Sequence, residues 1–306
     1  MRLFAYLDDD DVGTLGVIHP GSDRVVPASV MSIWGELIGE DDFKDLRSRA
    51  DLLRGAAGAD PSQLRPAPAV DHPAKIICVG LNYRSHVTEG AGREVPDRPL
   101  LFAKFGTAVV ADGQPIVRPE GCHALDLEVE LGVVIGKTAR RVSQDQAMDH
   151  VAGYVVVNDV SARDWQGSPP AMREGEKGDG QWLRAKGSDT FLPMGPVFVT
   201  KDQIDPAAGL RLRSWRIPAG TSEPQLMQDG TTSDLIFGIP ELIAFISRHI
   251  TLDPGDVIAT GTPAGLGVFR DPPIFLEPGD RVRCEIEGIG SVENPVVDWS
   301  DNLRDR

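Results

Sequence analysis

Hydrophobic residues in the first 30 positions occur in short runs separated by Asp, Gly, Pro and Ser. Runs of this length between turn-forming residues are typical of β-strands. The predicted strands are residues 2–7, 14–18 and 24–27. Farther along, the apolar spacing becomes three or four residues, which predicts a helix over 41–54. The apolar positions of that helix are Phe43, Leu46, Ala50 and Leu53.

The segment from Gly58 to Pro73 interrupts these patterns. It contains four prolines and several alanines in place of periodic apolar positions. Proline-rich, aperiodic segments often connect independently folded units, so we predict a linker here. The sequence therefore predicts a small N-terminal α+β domain over residues 1–68 and a larger domain over residues 69–306.

The larger domain contains many short runs of Val, Ile and Leu bounded by Gly, Pro and Asp. The predicted strands are residues 75–80, 127–135, 153–157, 196–199, 256–260 and 281–287. Helical spacing occurs in a few places, such as 143–150 and 239–248. A regular βαβ alternation is lacking, so we predict an α+β, mainly β fold, either a mixed β-roll or a barrel with added helices. Residues 167–180, rich in Pro, Gly and charge, are predicted to form a long mobile surface loop.

Composition and charge narrow the possible functions. The chain of 306 residues has a formal net charge of -15 and no basic stripe, which disfavours nucleic acids and acidic membranes as partners. No apolar run approaches the roughly 20 residues of a membrane helix, and the first residues contain no apolar stretch of signal-peptide length, so we do not expect secretion. The three cysteines, Cys78, Cys122 and Cys284, are widely spaced, which favours a reducing compartment. We therefore predict a cytoplasmic protein.

Three acidic residues lie in or beside predicted strands. Glu128 and Glu130 alternate with Leu127, Val129 and Leu131, so both carboxylates face the same side of a strand. Asp159 ends the apolar run of 153–157, where an unpaired carboxylate is costly. Three oxygen donors without clustered His or Cys favour Mg²⁺ or Mn²⁺. A solvent-exposed face of an edge strand is the alternative interpretation of the two glutamates.

Other polar residues also suggest a site. His86 and Glu89 are three residues apart after a predicted strand, so in a helical turn the carboxylate can orient the imidazole for general-base chemistry. A pair of ordinary surface residues has the same spacing. Arg163, Gln166, Lys186 and Thr262 lie in apolar or glycine-rich surroundings, where structural roles are equally compatible with the pattern. The glycine-rich turn at Thr262 lacks the lysine of a nucleotide-binding P-loop.

Taken in order, seven segments within residues 75–295 resemble the fumarylacetoacetate hydrolase family. They are GLNYRSHVTE, LDLEVELGVVIG, VAGYVVVNDVSARDWQ, AKGSDTFLPMGP, DLIFGIPELIAFIS, LDPGDVIATGTPAGLG and LEPGDRVRCEIEGIG. The resemblance implies a mixed β-roll, usually in a homodimer, with a small accessory domain at the N-terminus. It implies one Mg²⁺ or Mn²⁺ per chain, held by Glu128, Glu130 and Asp159.

The resemblance also implies roles for the other candidates. His86 and Glu89 match a water-activating dyad, and Lys186 matches the active-site lysine. Arg163, Gln166 and Thr262 match residues that support or contact the substrate. The sequence departs from the family where Gly187, Ser188 and Asp189 follow the lysine, and in the turn at 216–220. Because these segments are expected near the pocket, the departures bear on the substrate more than on the chemistry.

The resulting expectation is a hydrolase that cleaves a carbon–carbon bond in a small acylpyruvate or β-diketo acid, as in the catabolism of aromatic or sugar acids. In that scheme His86 activates water and the metal ion with Lys186 stabilises a pyruvate enolate. Three alternative reactions remain open. Decarboxylation of oxaloacetate and keto–enol isomerisation proceed through the same enolate, and hydration of a 2-oxo-alkenoate is a further reaction of the same family. A non-catalytic scaffold on the same fold is a further alternative, disfavoured because all the candidate residues are present.

Overall fold

The computed structural model describes residues 1–19, 21–31, 58–90, 94–173, 178 and 180–302. The helix predicted at 41–54 lies outside the described residues. In chain order the described strands are β1 (Arg2–Leu7), β2 (Gly13–Ile18), β3 (Val25–Met31), β4 (Arg65–Pro66), β5 (Ile76–Gly80), β6 (Leu100–Lys104), β7 (Val109–Val110), β8 (Ile116–Arg118), β9 (Leu125–Asp126), β10 (Val129–Ile135), β11 (Val151–Asn158), β12 (Ser161–Ala162), β13 (Leu192–Pro193), β14 (Val197–Thr200), β15 (Arg211–Ile217), β16 (Gln225–Thr231), β17 (Val257–Ala259), β18 (Arg281–Ile286) and β19 (Gly290–Asp298).

Helices in the described ranges are short. They are α1 (Arg84–Glu89), α2 (Gln144–Ala147), α3 (Arg163–Gln166), α4 (Trp182–Gly187), α5 (Ile239–Ser247) and α6 (Trp299–Asn302). Single 3₁₀ turns lie at Pro61–Gln63, Gly106–Ala108, Met148–His150, Pro169–Ala171, Pro206–Ala208, Thr232–Asp234 and Gly267–Phe269. No helix in the described ranges is long and apolar enough to span a bilayer.

Two open, mixed sheets organise the fold. The ten-stranded sheet has the order β3-β2-β1-β14-β11-β10-β17-β5-β6, with β4 beside β1. Its neighbours are antiparallel except β17 and β5, which are parallel. The five-stranded sheet has the order β16-β15-β18-β19-β8 and ends in a parallel pair, β19 and β8. The prediction of a mainly β, mixed α+β fold is confirmed, and of the two architectures proposed from the sequence the closed barrel is wrong.

The central strands of the large sheet are buried on both faces. Leu131 and Val133 of β10 pack in one core cluster with residues of the five-stranded sheet such as Val282. The next residue, Val134, packs in a second cluster on the opposite face, together with Val155 of β11. Burial on both faces explains why residues 153–157 form an uninterrupted apolar run rather than an alternating one.

The N-terminal strands extend the large sheet. Strand β1 pairs with β14, with Leu3 opposite Phe198, so residues on both sides of position 68 share one sheet. The segment 58–73 is not an exposed linker, because β4 within it pairs with β1 and Val70 is fully buried. Its prolines and alanines suit a packed extended segment as well as a linker, which misled the sequence interpretation. Domains at 1–68 and 69–306 remain a prediction.

Gly153 marks the closest approach of β11 to β14. A Cβ atom at this position would lie 2.6 Å from Cζ of Phe198 and would collide with the carbonyl oxygen of Val199. We expect Gly153→Ala to lower the free energy of unfolding by about 1–3 kcal/mol, the usual cost of overpacking a core. Urea denaturation measures the change. Gly106→Ala is the control, since the nearest atom to its Cβ would be 3.5 Å away; equal stability of the two variants would contradict this account.

Candidate active site

Three carboxylates converge where two central strands meet. Glu130 lies in β10, Glu128 immediately precedes that strand, and Asp159 immediately follows β11. Because β10 and β11 are antiparallel, with Val129 opposite Asn158, the beginning of one lies beside the end of the other. One oxygen from each carboxylate lies within 4.8 Å of the other two, and all three residues are buried. The edge-strand alternative is therefore wrong, since neither glutamate faces solvent.

Cationic side chains surround this cluster. The Nζ atom of Lys186 lies 3.0 Å from Oε2 of Glu128 and 2.8 Å from Oδ2 of Asp159. A second buried lysine, Lys104, places its Nζ 2.7 Å from Oδ1 of Asp159. Arg163 approaches the other side of Glu128, with Nη2 2.6 Å from Oε1. Glu128 thus forms ion pairs with Lys186 and Arg163, and Asp159 forms ion pairs with Lys186 and Lys104.

The two glutamates differ in their electrostatic surroundings. Burial disfavours the charged form of Glu128, but Lys186 and Arg163 outweigh it and hold the pKa of Glu128 below its usual value. Burial, together with the negative charges of Asp159 and Glu128, raises the pKa of Glu130 well above its usual value. The amide of Gly261 donates a hydrogen bond of 2.8 Å to Oε2 of Glu130 without reversing this effect. The neighbourhood of Glu130 is therefore short of positive charge.

The charge balance and the donor chemistry fit a divalent cation. Four carboxylates belong to the described network, on Asp126, Glu128, Glu130 and Asp159. Three cations belong to it, on Lys104, Arg163 and Lys186. Four negative and three positive charges leave a net charge of −1 when all groups are ionised, so one divalent cation brings the site to +1. Buried oxygen donors alone suit Mg²⁺ or Mn²⁺, and a positive site suits an anionic ligand.

Arg163 and Gln166 belong to α3, at the next turn of the chain after Asp159. The Nε atom of Arg163 lies 3.0 Å from Oδ2 of Asp126, and its Nη1 donates to Oε1 of Gln166 at 3.1 Å. Asp126 also accepts a hydrogen bond of 3.0 Å from the amide of Gly267. Arg163 is therefore held in place by Asp126 on one side and the carboxylate cluster on the other.

His86 and Glu89 lie on one face of α1, as their spacing predicts. Nδ1 of His86 is 3.3 Å from Oε1 of Glu89. The other carboxylate oxygen of Glu89 accepts a hydrogen bond of 2.5 Å from the amide of Gly265, in the glycine-rich turn after β17. The ring of His86 lies 6.0 Å from the ring of Phe269, measured between centroids. These contacts orient the imidazole, and Nδ1 is the atom that Glu89 faces.

Thr262 is buried and hydrogen-bonded, although it lies in a glycine-rich turn. Its Oγ1 donates to the carbonyl oxygen of Val129 at 2.9 Å and accepts from Nε2 of Gln228 at 2.7 Å. The residue is only 3% exposed. Its hydroxyl therefore already has a donor and an acceptor within the protein, and a contact with substrate carboxylate remains a prediction.

A cavity of about 290 Å³ opens over the carboxylates. Its lining residues are Val79, Gly80, Leu81, His86, Leu100, Phe102, Glu128, Glu130, Arg163, Gln166, Gly167, Ser168, Pro169, Trp182, Lys186, Thr262 and Phe269. Seven of the nine predicted site residues are among them. Of the other two, Asp159 is fully buried beside Lys186, and Glu89 contacts His86. The structure therefore brings the predicted site residues into one place, whereas their individual roles remain proposals.

Sequence reasoning missed three residues of this network, namely Lys104, Asp126 and Gln228. Besides its ion pair with Asp159, Lys104 donates to the carbonyl oxygens of Val160 and Phe191 at 3.0 and 2.7 Å. Because Lys104 is a charged residue at the end of the apolar run of β6, the reasoning that identified Asp159 could have identified it as well. Gln228 offered no such signal, because its strand β16 has mixed polarity.

Comparison with known proteins agrees with this geometry. Residues 75–297 match the family model described as fumarylacetoacetate (FAA) hydrolase C-terminal. Among curated proteins, the mitochondrial oxaloacetate tautomerase fahd2 of Xenopus laevis is 46% identical over 228 residues, covering 74% of this chain and 67% of that protein. The human mitochondrial oxaloacetate tautomerase FAHD2A is 44% identical over 228 residues, covering 74% and 68%.

Solved structures are similar over almost the whole chain. A 2-hydroxyhepta-2,4-diene-1,7-dioate isomerase from Mycobacterium marinum is 32% identical, with a TM-score of 0.71 over 98% of this chain and 99% of that one. A fumarylacetoacetate hydrolase from Exiguobacterium antarcticum is 31% identical, with a TM-score of 0.72 over 97% and 99%. The matched family model covers the carboxylate cluster and every residue that lines the cavity, whereas strands β1–β4 precede it. The chain belongs to the fumarylacetoacetate hydrolase family.

Proposed function

We propose that this protein is a Mg²⁺- or Mn²⁺-dependent tautomerase that interconverts the keto and enol forms of a small 2-oxo acid, the class that includes oxaloacetate. The observation that supports it most is the buried cluster of Glu128, Glu130 and Asp159 with Lys186 beside it at the floor of a cavity. With a divalent cation bound between the carboxylates and Lys186 beside them, this floor would suit a reaction in which negative charge develops on an oxygen. The curated relatives are described as oxaloacetate tautomerases, which favours tautomerisation over the hydrolysis expected from the sequence.

The three carboxylates would hold the cation. When bound there, the cation supplies Lewis-acid polarisation of the 2-oxo group and stabilisation of the enolate. Arg163 keeps Glu128 ionised through its 2.6 Å ion pair, so this ligand stays ready for a cation. Burial of all three ligands lowers the effective dielectric constant around them, which would strengthen their attraction for the cation.

Lys186 is the proton donor in this proposal. Burial disfavours its ammonium form, but Asp159 and Glu128 outweigh burial and raise the pKa of Lys186 above its usual value, so the side chain enters the reaction protonated. In the enol-to-keto direction the enol oxygen releases its proton to solvent, Nζ of Lys186 gives a proton to C3, and the amine regains one from solvent. The C2=C3 double bond becomes a single bond as C3 gains the proton, the C2–O bond becomes double, and the carbon skeleton stays intact.

The assay that tests this function follows the ultraviolet absorbance of enol-oxaloacetate with Mg²⁺, Mn²⁺ or chelator, while a coupled assay measures pyruvate. Tautomerisation predicts fast, metal-dependent loss of the enol signal without pyruvate. Formation of pyruvate and CO₂ at the same rate would show a decarboxylase instead. An enol decay equal to the uncatalysed rate would contradict the proposal.

A second candidate is the hydrolysis of an acylpyruvate, favoured by the His86–Glu89 pair at the cavity. A neutral imidazole oriented by a carboxylate can take a proton from water as it attacks a carbonyl. In that reaction water adds to the distal carbonyl, the C3–C4 bond breaks to give a carboxylic acid, and the pyruvate enolate gains a proton at C3. In both reactions the three carboxylates with their cation, together with Lys186, would act on the enolate.

His86→Ala separates the two candidates. If the imidazole activates water, acylpyruvate hydrolysis should fall by about 10²–10⁴, while the tautomerisation of oxaloacetate, which needs no attacking water, should change by less than about tenfold. Steady-state rates with both substrates measure this. Thr88→Ala, on an exposed position of the same helix, is the control. Undiminished acylpyruvate hydrolysis in His86→Ala would remove the histidine from the mechanism.

Assembly and location belong to the proposal as well. We propose a homodimer, on the basis of the family resemblance, and a cytoplasmic location, on the basis of the sequence. The curated relatives are described as mitochondrial, so the compartment of this chain is best tested directly, by microscopy of a tagged protein. Sedimentation of the purified protein tests the dimer.

A further inference from the structure

The outer wall of the cavity differs in character from its floor. Aromatic and aliphatic side chains line it, namely Leu100, Phe102, Trp182 and Phe269. The rings of Phe102 and Trp182 meet edge to face, with centroids 5.5 Å apart. Trp182 is 36% exposed and Leu100 is 42% exposed, which places both at the mouth. The cavity therefore passes from buried charges at its floor to apolar surface at its opening.

This wall begins directly beside the proposed proton donor. Nζ of Lys186 lies 5.0 Å from the centroid of the Phe102 ring. A ligand whose C3 atom is within reach of that ammonium group therefore has Phe102 and, beyond it, Trp182 available to contact its C3 substituent. The cavity of about 290 Å³ has room for about ten water molecules at roughly 30 Å³ each. This is more space than an unsubstituted 2-oxo acid such as pyruvate fills.

The charged residues that line the cavity also bear on which substituent its apolar end accepts. Among the described lining residues, the side chains able to carry positive charge are His86, Arg163 and Lys186. Each already contacts an acidic partner: His86 contacts Glu89, Arg163 contacts Asp126 and Glu128, and Lys186 contacts Glu128 and Asp159. A second substrate carboxylate at the apolar end would lose water without gaining a cation from these residues, which is unfavourable.

We propose that Phe102 and Trp182 form a subsite for a planar apolar group on C3 of the 2-oxo acid. This inference rests on the proposed function and places 2-oxo acids with an aryl group on C3 above oxaloacetate within its substrate class. The T-shaped pair presents a ring face and a ring edge, the arrangement that a third planar group packs against well. Trp182 also opens α4, the helix that carries Lys186, whereas Phe102 lies in the neighbouring strand β6.

The test compares two ligands that differ in the C3 substituent, phenylpyruvate with a phenyl group and oxaloacetate with a carboxylate. Both are measured with Mn²⁺ present, by the rate of enol loss and by calorimetric binding to the whole protein. Wild type should bind phenylpyruvate more tightly than oxaloacetate. Trp182→Ala should raise KM and Kd for phenylpyruvate about tenfold and those for oxaloacetate less than about threefold, because only the phenyl group loses buried contact.

Leu183→Ala is the matched control, because Leu183 is the next residue of the same helix, is 63% exposed and does not line the cavity. It should leave both ligands unaffected. Equal loss for both ligands in Trp182→Ala, no loss for phenylpyruvate, or tighter binding of oxaloacetate by wild type would each overturn the subsite. If wild type tautomerises neither ligand, the proposed function fails, and the calorimetric comparison still decides whether the subsite exists.

Discussion

Replacing Glu128 with glutamine is expected to lower the affinity for Mn²⁺ by at least about 100-fold and to abolish measurable turnover. The substitution keeps the size of the side chain but removes one of three converging negative charges. At an effective dielectric constant of about 20, the attraction between a carboxylate and a directly bound divalent cation is several kcal/mol, and each 1.4 kcal/mol is about a tenfold change in affinity. Arg163 and Lys186 also lose a partner and then repel the incoming cation.

Electron paramagnetic resonance of free Mn²⁺ measures this affinity without relying on turnover. Glu89→Gln is the matched control, because Glu89 contacts His86 and Gly265 rather than the carboxylate cluster. This control should keep the affinity of wild type. Mn²⁺ binding by Glu128→Gln that equals binding by wild type would place the metal elsewhere.

Replacing Lys186 with methionine is expected to reduce kcat for tautomerisation by about 10²–10⁴, the usual contribution of a positioned general acid. Methionine fills most of the space of the lysine but carries no proton to donate. The effect on the metal should be the reverse of the Glu128 result. Because Lys186 pairs with Glu128 and Asp159, its removal makes the cluster more negative, so Mn²⁺ affinity should stay the same or rise.

Rates and Mn²⁺ titrations on the same preparation separate a chemical role of Lys186 from a structural one. Lys201→Met is the control, because the Nζ of Lys201 donates to the carbonyl oxygen of Met148 at 2.8 Å, outside the carboxylate cluster. It should leave kcat and Mn²⁺ affinity unchanged. If Lys186→Met instead lost Mn²⁺ as Glu128→Gln does, the lysine would serve to hold the carboxylates rather than to move a proton.

Strand positions and the carboxylate cluster were predictable from the sequence because both follow from strand geometry. Alternation in a strand placed Glu128 and Glu130 on one side, and an acid at the end of a buried run marked Asp159. The three carboxylates do converge, although Glu128 precedes β10 (Val129–Ile135) instead of lying in it, and Asp159 follows β11 (Val151–Asn158). Antiparallel pairing of these two strands, which no single-chain pattern specifies, is what brings the three residues together.

Other features depend on contacts between distant segments and were missed for that reason. Lys104 is 55 residues away from Asp159 along the chain, and only the order of the sheet brings β6 near the site. The helix predicted at 143–150 is divided into α2 and a 3₁₀ turn at Met148–His150. The packing of 58–73 against β1 likewise follows from tertiary contacts that override a linker-like composition.

The position of a bound cation shows whether Glu128, Glu130 and Asp159 form the metal site. Crystals grown with Mn²⁺ and measured at the manganese absorption edge give an anomalous difference map that locates the ion independently of activity. We expect one strong peak per chain, with oxygens of Glu128, Glu130 and Asp159 at about 2.1 Å, as hard cations require. A map with no peak among these three carboxylates, at an Mn²⁺ concentration that supports turnover, would contradict it.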